Sequence, residues 1–502
     1  LFFFKQNPAS QILSGLVGSE MCIRDSIYLF KSKSAKIKIS NVKSDSVPSL
    51  MRNFSAPVRL NADLNSQELL KLVKYEIDTG EEEVLFQTNW DVMYSYLSEN
   101  EKYRVIAINE DGKNTLFIKD LFNNSDVYFP EIPDGDIKGV RISKSEKKIR
   151  LTIGTSKSPN NIYAYDMSNK DLKQLTKTLN PEININDMVA AEVVRYPSFD
   201  GLEIPAIYYK PLDATKGNKA PALVWVHGGP GGQSRTGYSS FIQYLVNHGY
   251  AILAVNNRGS SGYGKTFYKM DDLNHGDKDL KDCIWGKKWL QSQDYIDAEK
   301  IGIIGGSYGG YMTMAAMTFT PDEFKVGVNI FGVTNWLRTL KSIPPYWESF
   351  RSALYKEMGD PTTADSVRLY EISPVFHSDK VKNPVMVLQG ANDPRVLKIE
   401  SDEIVEGLVS NGIPVEYVVF DDEVMNGELN QYDWLHLHHE DFTGQYGKFY
   451  RYRNKDWYKN MEENFTLNAK KYNFSSVHKF KKAIALKTVS YTHLTLPTKR
   501  IV

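Results

Sequence analysis

Apolar and polar residues alternate with a period of two in three similar stretches of the first third of the chain. These are Leu72–Phe86, Leu116–Phe129 and Ile162–Thr176. Each pattern indicates a strand, a polar turn and a second short strand, which is a β-hairpin. The stretches begin about 45 residues apart, a spacing typical of the four-stranded blades of a β-propeller.

Two further predicted strands, Tyr103–Ile108 and Lys148–Ile153, precede the second and third stretches at the same offset. We therefore expect residues 30–192 to form a partial β-propeller of three to four blades. An ordinary meander of antiparallel hairpins is the alternative. So few blades do not close a ring, and we expect further blades upstream of this sequence.

The pattern changes after about Glu192, where short apolar strands begin to alternate with helical stretches. The predicted strands are Ile204–Tyr209, Ala222–Val226, Ala251–Val255, Ile301–Ile304, Val326–Phe331, Val385–Leu388 and Val415–Phe420. The predicted helices are Tyr238–His248, Asp277–Leu290, Tyr311–Thr318 and Lys398–Ser410. This alternation predicts an α/β domain over residues 193–423, with a mostly parallel sheet and functional residues at the carboxyl ends of its strands.

Composition narrows the classes of function. Of 502 residues 41% are hydrophobic, which is enough for a sizeable core. Lys+Arg and Asp+Glu both number 61, so the chain lacks the surplus of basic residues that a general nucleic-acid binder needs. It has no apolar run of the roughly eighteen residues that a membrane span requires. Cys22 and Cys283 are too few for a disulfide framework.

The first chemical motif is the run Gly305–Gly309, which reads Gly-Gly-Ser-Tyr-Gly. A predicted strand leads into it and a predicted helix follows, which is the context of a nucleophile elbow. The glycines suit a turn too tight for a Cβ, and Ser307 is held with its hydroxyl available for attack. A structural glycine turn is the alternative interpretation.

A second glycine-rich loop follows the strand Ala222–Val226 and reads His227-Gly-Gly-Pro-Gly-Gly232. Acyl transfer places negative charge on the former carbonyl oxygen, and backbone amides must already point at it. We predict that Gly229 supplies one amide and Tyr308, the residue after the nucleophile, the other. His227 is expected to brace the loop rather than act as the base.

The third motif places Asp393 just past the buried strand Val385–Leu388. In an α/β hydrolase the acid that orients the catalytic histidine follows the serine in the chain and lies at this place. Asp402, on a predicted helix, and Asp421, one strand later, are its rivals. We predict no cofactor and no metal.

Several stretches together resemble one known family, the prolyl oligopeptidase family of serine peptidases. The resemblance covers residues 195 to 423 and is greatest to the acylaminoacyl-peptidase and dipeptidyl-peptidase-like branch. It is carried by His227–Pro230, Asn257–Gly264, Gly305–Gly310, Pro344–Trp347 and Gln389–Val396.

The resemblance implies an α/β-hydrolase catalytic domain preceded by a partial β-propeller. It also implies short peptides as substrates, because the propeller excludes folded proteins. By position it assigns the nucleophile to Ser307, the orienting acid to Asp393 and the oxyanion amides to Gly229 and Tyr308.

The catalytic histidine is not at the place where the family has it, a Gly-His-Gly turn after the strand Val415–Phe420. Residues 424–427 read Val-Met-Asn-Gly, and the nearest histidines are His436, His438 and His439. One of these acts as the base if the chain has an insertion here. A metal site at the same cluster is the weaker alternative, since a short histidine tract defines no ligand geometry.

The two ends differ from the rest. Ser14–Asp25 and Val489–Val502 resemble translated sequencing-adapter sequence, and we expect residues 1–29 to be a non-native leader. We expect residues 424–502 to be a tail of uncertain and non-native origin. Cys22 is then artefactual.

Three functional hypotheses follow: a serine peptidase using an acyl-enzyme, a carboxylesterase on the same fold, or a catalytically inactive fragment that lacks its base. The propeller pattern favours the peptidase, although we expect little turnover from this chain itself. Short peptides are the expected partners, with no nucleic acid and no membrane. The sequence does not determine the cleavage preference, whether the protein is a homo-oligomer, or whether it is cytoplasmic or periplasmic.

Two local features have both a functional and a purely structural interpretation. Tyr346 and Trp347 line an aromatic pocket or simply pack. The run Glu81–Glu83 is expected to be a solvated hairpin turn rather than an anchor for a substrate amine.

Overall fold

The computed structural model describes residues 27–28, 58–61, 68–75, 81–129, 132–133, 135–343 and 347–420. The chain divides into two compact units, Leu1–Ile301 with Pro344–Ser366 and Gly302–Ile343 with Val367–Val502. Within the described ranges, no helix combines the length and apolar character needed to cross a membrane.

The first unit begins with three successive four-stranded antiparallel sheets, each with its strands in chain order. The first sheet has β1 (Ile27–Tyr28), β2 (Val58–Asn61), β3 (Lys71–Tyr75) and β4 (Glu82–Phe86). The second has β5 (Asp91–Leu97), β6 (Tyr103–Glu110), β7 (Lys113–Asp120) and β8 (Ser125–Asp126). The third has β9 (Asp136–Ile142), β10 (Lys148–Thr155), β11 (Ser158–Asp166) and β12 (Asp171–Gln174).

The predicted hairpins are confirmed as the last two strands of each of these sheets. The predicted strands Tyr103–Ile108 and Lys148–Ile153 lie within β6 and β10. Alternate residues of β10 are buried, as in Ile149, Leu151 and Ile153, which form part of one apolar cluster, whereas β6 is buried on both faces. The period-two pattern of β10 therefore corresponds to the burial of one face.

The first unit continues with four strands in the spatial order β13, β14, β16, β15. They are β13 (Glu192–Pro197), β14 (Glu203–Tyr209), β15 (Ala220–Val226) and β16 (Ala251–Val255). The pairs β13–β14 and β14–β16 are antiparallel, whereas β15 and β16 are parallel. Its helices are α1 (Ser240–Asn247), α2 (Lys265–Tyr268), α3 (Lys278–Gln291) and α6 (Glu348–Met358), with short 3₁₀ turns at Ile185–Asp187 and Lys269–Asp271.

Polar contacts join the antiparallel sheets to β13 and to the loop after β15 in the same unit. Arg235 forms an ion pair with the fully buried Asp136 at 3.2 Å. The side chain of Asn109 donates to Gln233 at 2.8 Å, and Arg195 pairs with Asp111 at 2.7 Å. Residues before and after position 192 thus belong to one compact unit.

The second unit is built on four consecutive parallel strands in the order β17, β18, β19, β20. These are β17 (Ile296–Gly306), whose first residues lie in the first unit, β18 (Gly327–Ile330), β19 (Val385–Gly390) and β20 (Val415–Phe420). Its helices are α4 (Tyr308–Phe319), α5 (Trp336–Ser342) and α8 (Lys398–Ser410), and a 3₁₀ segment spans Pro374–Lys380. Helix α7 (Asp365–Glu371) spans the boundary between the units.

The apolar strands and helices predicted after residue 192 are present. Ala251–Val255, Val415–Phe420 and Lys398–Ser410 have the predicted bounds. The predicted domain limits at 192 and 423 stay predictions, and the tail lies outside the described residues.

The free Cys283 lies on α3 and is completely buried. Burial raises the pKa of its thiol well above the ordinary value, and the nearby Asp279 and Asp282 carboxylates act in the same direction. The thiol is therefore neutral, as in a small apolar core residue.

Candidate active site

Ser307 occupies a sharp bend between a buried strand and a helix. β17 ends at Gly306 and α4 begins at Tyr308. Ser307 itself has φ +55° and ψ −117°, a conformation that residues with a Cβ rarely adopt, and its side chain is partly exposed. Its amide donates to the carbonyl of Ile330 at 2.9 Å. A strained serine held by the adjacent strand is the geometry of a nucleophile elbow.

A close approach of two glycines fixes the start of α4. A Cβ added at Gly310 would lie 2.6 Å from the Cα of Gly332 and 2.5 Å from Asn329 Oδ1. A Cβ at Gly306 would only touch the Phe331 ring at 3.4 Å. The steric demand at Gly310 therefore comes from the loop after β18 and not from the bend alone.

Tyr308 is the first residue of α4. The first amides of a helix have no acceptor within the helix and point outwards from its N-terminus, so they favour negative charge. The Tyr308 side chain is buried and its ring packs 5.3 Å from Tyr311 and 6.1 Å from Trp336. This packing anchors the residue whose amide we assigned to the oxyanion.

Asp393 follows β19 and is 4% exposed. Its Oδ1 accepts from the amides of Arg395 at 2.8 Å and Val396 at 3.0 Å. Its Oδ2 is buried and accepts no hydrogen bond from any residue in the described ranges. Burial raises the pKa of this carboxyl group, and the two amides oppose the shift. One oxygen is thus fixed in place while the other can accept from a further donor.

The sheet register relates the two residues. Gly306 pairs with Ile330, and Ile330 pairs with Leu388. Because β17, β18 and β19 are parallel, Ser307 and Asp393 both lie past the carboxyl edge of the same sheet. Ser307 follows β17 and Asp393 follows β19, and these two strands flank β18.

The rival acids have different surroundings. Asp402 lies on α8, where its Oδ1 contacts Lys398 Nζ at 2.5 Å and accepts from the Tyr417 hydroxyl at 2.6 Å. Asp421 and the histidines His436, His438 and His439 lie outside the described residues, so the base stays unassigned.

The glycine-rich loop lies in the first unit and is tightly packed. Gly229 has φ +142°, and a Cβ there would lie 2.5 Å from the amide nitrogens of Gly231 and Gly232. A Cβ at Gly232 would lie 2.2 Å from the carbonyl oxygen of Gly228. The loop therefore requires glycine at Gly229 and Gly232.

His227 is engaged at both ring nitrogens. Nδ1 lies 2.8 Å from the carbonyl oxygen of Gly228, and Nε2 lies 2.7 Å from Ser260 Oγ. Because a carbonyl oxygen only accepts, Nδ1 carries the proton. The Ser260 hydroxyl also lies 2.6 Å from the carbonyl oxygen of Asn257, so its one proton is shared between that oxygen and Nε2. Burial lowers the pKa of His227 to about 4. This arrangement supports the predicted bracing role.

Arg258 lies in the family-like stretch Asn257–Gly264, but its contacts were not predicted from the sequence. Its guanidinium donates to Asp282 through Nε at 2.9 Å and Nη2 at 2.9 Å, and to Asp200 at 3.0 Å. Burial alone would lower the pKa of Arg258, but these two carboxylates outweigh it and raise the pKa. The network fixes the backbone that follows β16.

Glu400 was also missed. This buried residue of α8 accepts from the amides of Thr334 at 3.0 Å and Asn335 at 2.6 Å. It thereby holds the loop between β18 and α5, which contains Gly332. The only sequence signal was an acid on the apolar side of a helix.

The remaining candidates lie as follows. Glu82 and Glu83 belong to strand β4, with Glu81 just before it, and all three are exposed. Glu83 pairs with Lys74 at 3.7 Å. Trp347 is half-buried, with its ring 6.1 Å from Phe350, and Tyr346 lies outside the described residues.

A serine at a strand–helix bend, with a buried aspartate at the same edge of a parallel sheet, is the arrangement of the α/β hydrolases. Residues 236–448, less than half of the chain, match the family model described as "Prolyl oligopeptidase family", so this part of the chain is similar to that family. The matched range extends past Glu423 and includes His436, His438 and His439.

Curated relatives are peptidases by name. The chain is 38% identical over 299 residues to dipeptidyl aminopeptidase BIII of Pseudoxanthomonas mexicana, covering 58% of this chain and 43% of that protein. It is 31% identical over 224 residues to the acylamino-acid-releasing enzyme of Arabidopsis thaliana, covering 43% and 29%. The chain thus spans less than half the length of either relative.

Solved structures share the fold. The chain resembles a puromycin-hydrolyzing peptidase of Mycobacterium tuberculosis with a TM-score of 0.65 at 21% identity, over 74% of this chain and 56% of that one. It resembles the uncomplexed acylaminoacyl peptidase of Pyrococcus horikoshii with a TM-score of 0.62 at 24% identity, over 77% and 60%.

Proposed function

We propose that this chain is the catalytic part of a serine peptidase that hydrolyses short peptides through an acyl-enzyme, with Ser307 as the nucleophile. The observation that carries the proposal is the strained, partly exposed Ser307 between β17 and α4. The family match and the peptidase relatives support the same reaction class.

In the proposed reaction, the Ser307 hydroxyl attacks the carbonyl carbon of the scissile bond while a base takes its proton. The amide of Tyr308, at the N-terminus of α4, donates to the oxygen that becomes negative. The amine leaves with a proton from the base, and water then hydrolyses the ester bond to Ser307. The amide of Gly229 as second donor is a prediction from the sequence pattern.

Asp393 is proposed as the acid that orients the base. Its Oδ1 is fixed by the amides of Arg395 and Val396, so Oδ2 has one direction in which to accept a hydrogen bond. An imidazole N–H placed there would have its tautomer fixed, and its protonated form would be stabilised. The candidates for this imidazole are His436, His438 and His439.

The restriction to short peptides rests on the three antiparallel sheets over residues 27–174, which we propose to be blades of a β-propeller. Their four-stranded antiparallel form and their regular succession along the chain support this assignment. In the family that the sequence resembles, the propeller excludes folded proteins from the active site.

Labelling with a fluorophosphonate tests the nucleophile. The probe phosphonylates an activated serine, and we expect one label, at Ser307, that Ser307→Ala removes. The matched control is Ser342→Ala, an exposed serine on α5 in the same unit, which should leave labelling unchanged. Labelling that survives Ser307→Ala would refute the assignment.

The base is tested with His436→Ala, His438→Ala and His439→Ala. The variant that lowers the labelling rate by about three to four orders of magnitude identifies the base. A chain that no fluorophosphonate labels is the inactive fragment of our third hypothesis. Rates on a peptide amide and on the ester of the same acyl group separate the peptidase from the carboxylesterase.

A further inference from the structure

A second group of buried ionisable side chains lies in the first unit and is not used by the proposed reaction. It consists of Asp271, His275, Asp279 and Glu357, whose exposed fractions are 0%, 1%, 0% and 9%. We call these four residues the acid–histidine cluster. Asp271 ends the 3₁₀ turn Lys269–Asp271, His275 precedes α3, Asp279 lies in its first turn, and Glu357 lies in the last turn of α6.

The donor atoms of the cluster converge. One ligand atom each from Asp271, His275 and Glu357 lies within 4.8 Å of the other two. His275 Nδ1 is 3.5 Å from Asp271 Oδ2 and 4.0 Å from Asp279 Oδ2. Metal bonds to nitrogen and carboxylate oxygen are about 2.1 Å long, so two donors on a tetrahedral ion lie about 3.4 Å apart. A contraction of at most about 1.4 Å would bring the donors to this distance.

The hydrogen bonding of Asp271 also points to a missing ligand at this cluster. Its carboxylate is completely buried, and neither oxygen accepts a hydrogen bond from another residue in the described ranges. Buried carboxylates normally have such partners, or pair with a cation. Gly259 makes room for this group, because a Cβ there would lie 1.8 Å from Asp271 Oδ2.

Asp271 is surrounded by other acidic side chains. The carboxylates of Asp279, Glu357 and Asp272 repel its charge. A cation among the three buried acids would remove this repulsion.

We propose that the acid–histidine cluster binds one divalent metal ion through His275 nitrogen and the carboxylates of Asp271 and Glu357, with Asp279 facing the ion or His275. One imidazole with several carboxylates suits a borderline ion such as Zn²⁺ or Mn²⁺ better than Ca²⁺ or Mg²⁺, which take oxygen ligands alone. The ion links α6 to the start of α3.

The proposed role is structural. The amide of Leu273 already donates to the carbonyl of Glu357 at 2.8 Å, so backbone and metal would join the same two segments. Because Ser307 is not a ligand, metal binding and serine labelling are separate measurements.

The test uses the full chain purified without chelator and without added metal. Elemental analysis is expected to find close to one Zn²⁺ or Mn²⁺ per chain. Stripping the ion should lower Tm, and adding it back at a hundredfold excess over Kd should raise Tm by about 3–5 °C. Mg²⁺ and Ca²⁺ at the same concentration should have a much smaller effect.

Two variants localise the ion. His275→Gln and Glu357→Gln should each weaken Zn²⁺ binding by at least about tenfold, measured by calorimetry on chains whose circular dichroism matches the parent. The matched control is Asp277→Asn, an exposed acid between His275 and Asp279, which should leave affinity unchanged.

The proposal is overturned if the parent chain co-purifies with no metal and its Tm responds to none of the four ions. The cluster is then a set of acids that share protons with His275. This measurement uses the parent chain alone. It therefore tests the proposal even if His275→Gln fails to fold.

Discussion

Two buried aspartates, one in each unit, differ in how completely they are hydrogen-bonded. In the first unit Asp282 Oδ1 accepts from Ser198 at 2.5 Å and from Arg258, and Oδ2 accepts from the amide and Nε of Arg258 at 2.9 Å. In the second unit Asp393 has partners on Oδ1 only. A buried acid whose oxygens are all satisfied holds structure, whereas one with an open oxygen is prepared for a further donor.

The same substitution at both aspartates tests this difference, and the larger effect belongs to Asp282→Asn. Burial raises the pKa of Asp282 as well, but removing its charge leaves the buried Arg258 with the part-exposed Asp200 as its remaining carboxylate partner. We expect a loss of about 3–5 kcal/mol in the free energy of unfolding, measured with urea.

Asp200→Asn is the control within that network. The Asp200 side chain is 39% exposed, so water replaces much of its interaction with Arg258. The loss should be below about 1 kcal/mol. Equal losses for both variants would mean that burial does not decide the strength of these pairs.

The next effect concerns pH and His227. In the unfolded chain a histidine takes up a proton near pH 6.5, whereas in the fold the pKa of His227 is about 4. The unfolded state therefore binds more protons between these values, and stability falls as pH drops from 6.5 to 4. We expect this residue to contribute about 3 kcal/mol at most to that fall.

His227→Gln provides the comparison, because glutamine does not titrate. The difference in unfolding free energy between parent and variant should change over this pH window and stay constant above pH 7. A His227 imidazole signal that titrates near pH 6.5 in NMR would contradict the assigned contacts.

A smaller effect is expected at the glycine contact beside Ser307. Gly310→Ala places a methyl group against the backbone of Gly332, which has no flexible atoms to move aside. We expect a loss of about 1–3 kcal/mol, seen in thermal unfolding.

Gly217→Ala is the matched control, because a Cβ there meets nothing within 4 Å. Its effect should be within about 0.5 kcal/mol. If Gly310→Ala also changes the free energy of unfolding by no more than about 0.5 kcal/mol, the close approach of Gly310 to Gly332 does not limit the residue at this position.

The smallest change is expected for Asp393→Asn. The asparagine oxygen can still accept from Arg395 and Val396, and Oδ2 has no partner to lose among the described residues. Because burial raises the pKa of Asp393, its ionised form opposes folding, so the neutral variant should be equally stable or up to about 1 kcal/mol more stable at pH 7.

The outcome that would break the comparison is a loss at Asp393→Asn as large as that at Asp282→Asn. Asp393 would then be a structural acid. Fluorophosphonate labelling should instead be the property that Asp393→Asn reduces.

The sequence predicted the elements that depend on local pattern. Ala251–Val255 and Lys398–Ser410 were predicted with their observed bounds because their apolar periodicity ends abruptly. The strand β17 was predicted too short: the polar run Asp297–Lys300 interrupts its apolar pattern, although the strand begins at Ile296. The helix α6 was missed because its moderate polarity gives a weak pattern.

The site divides in the same way. The places of Ser307 and Asp393 in the fold were predictable because their neighbours in sequence define the bend and the strand end, whereas their catalytic roles stay predictions. The acid–histidine cluster was not, since Glu357 is far in sequence from Asp271, and no local pattern relates residues that meet only through packing. Glu400 and Arg258 act through contacts of this kind too.

The inert thiol of Cys283 gives the chain an internal reporter. Because it is completely enclosed and neutral in the folded protein, an alkylating reagent reaches it only when α3 opens. In a Cys22→Ser background, the rate of modification by iodoacetamide would count those openings directly, without any added dye or spectroscopic probe.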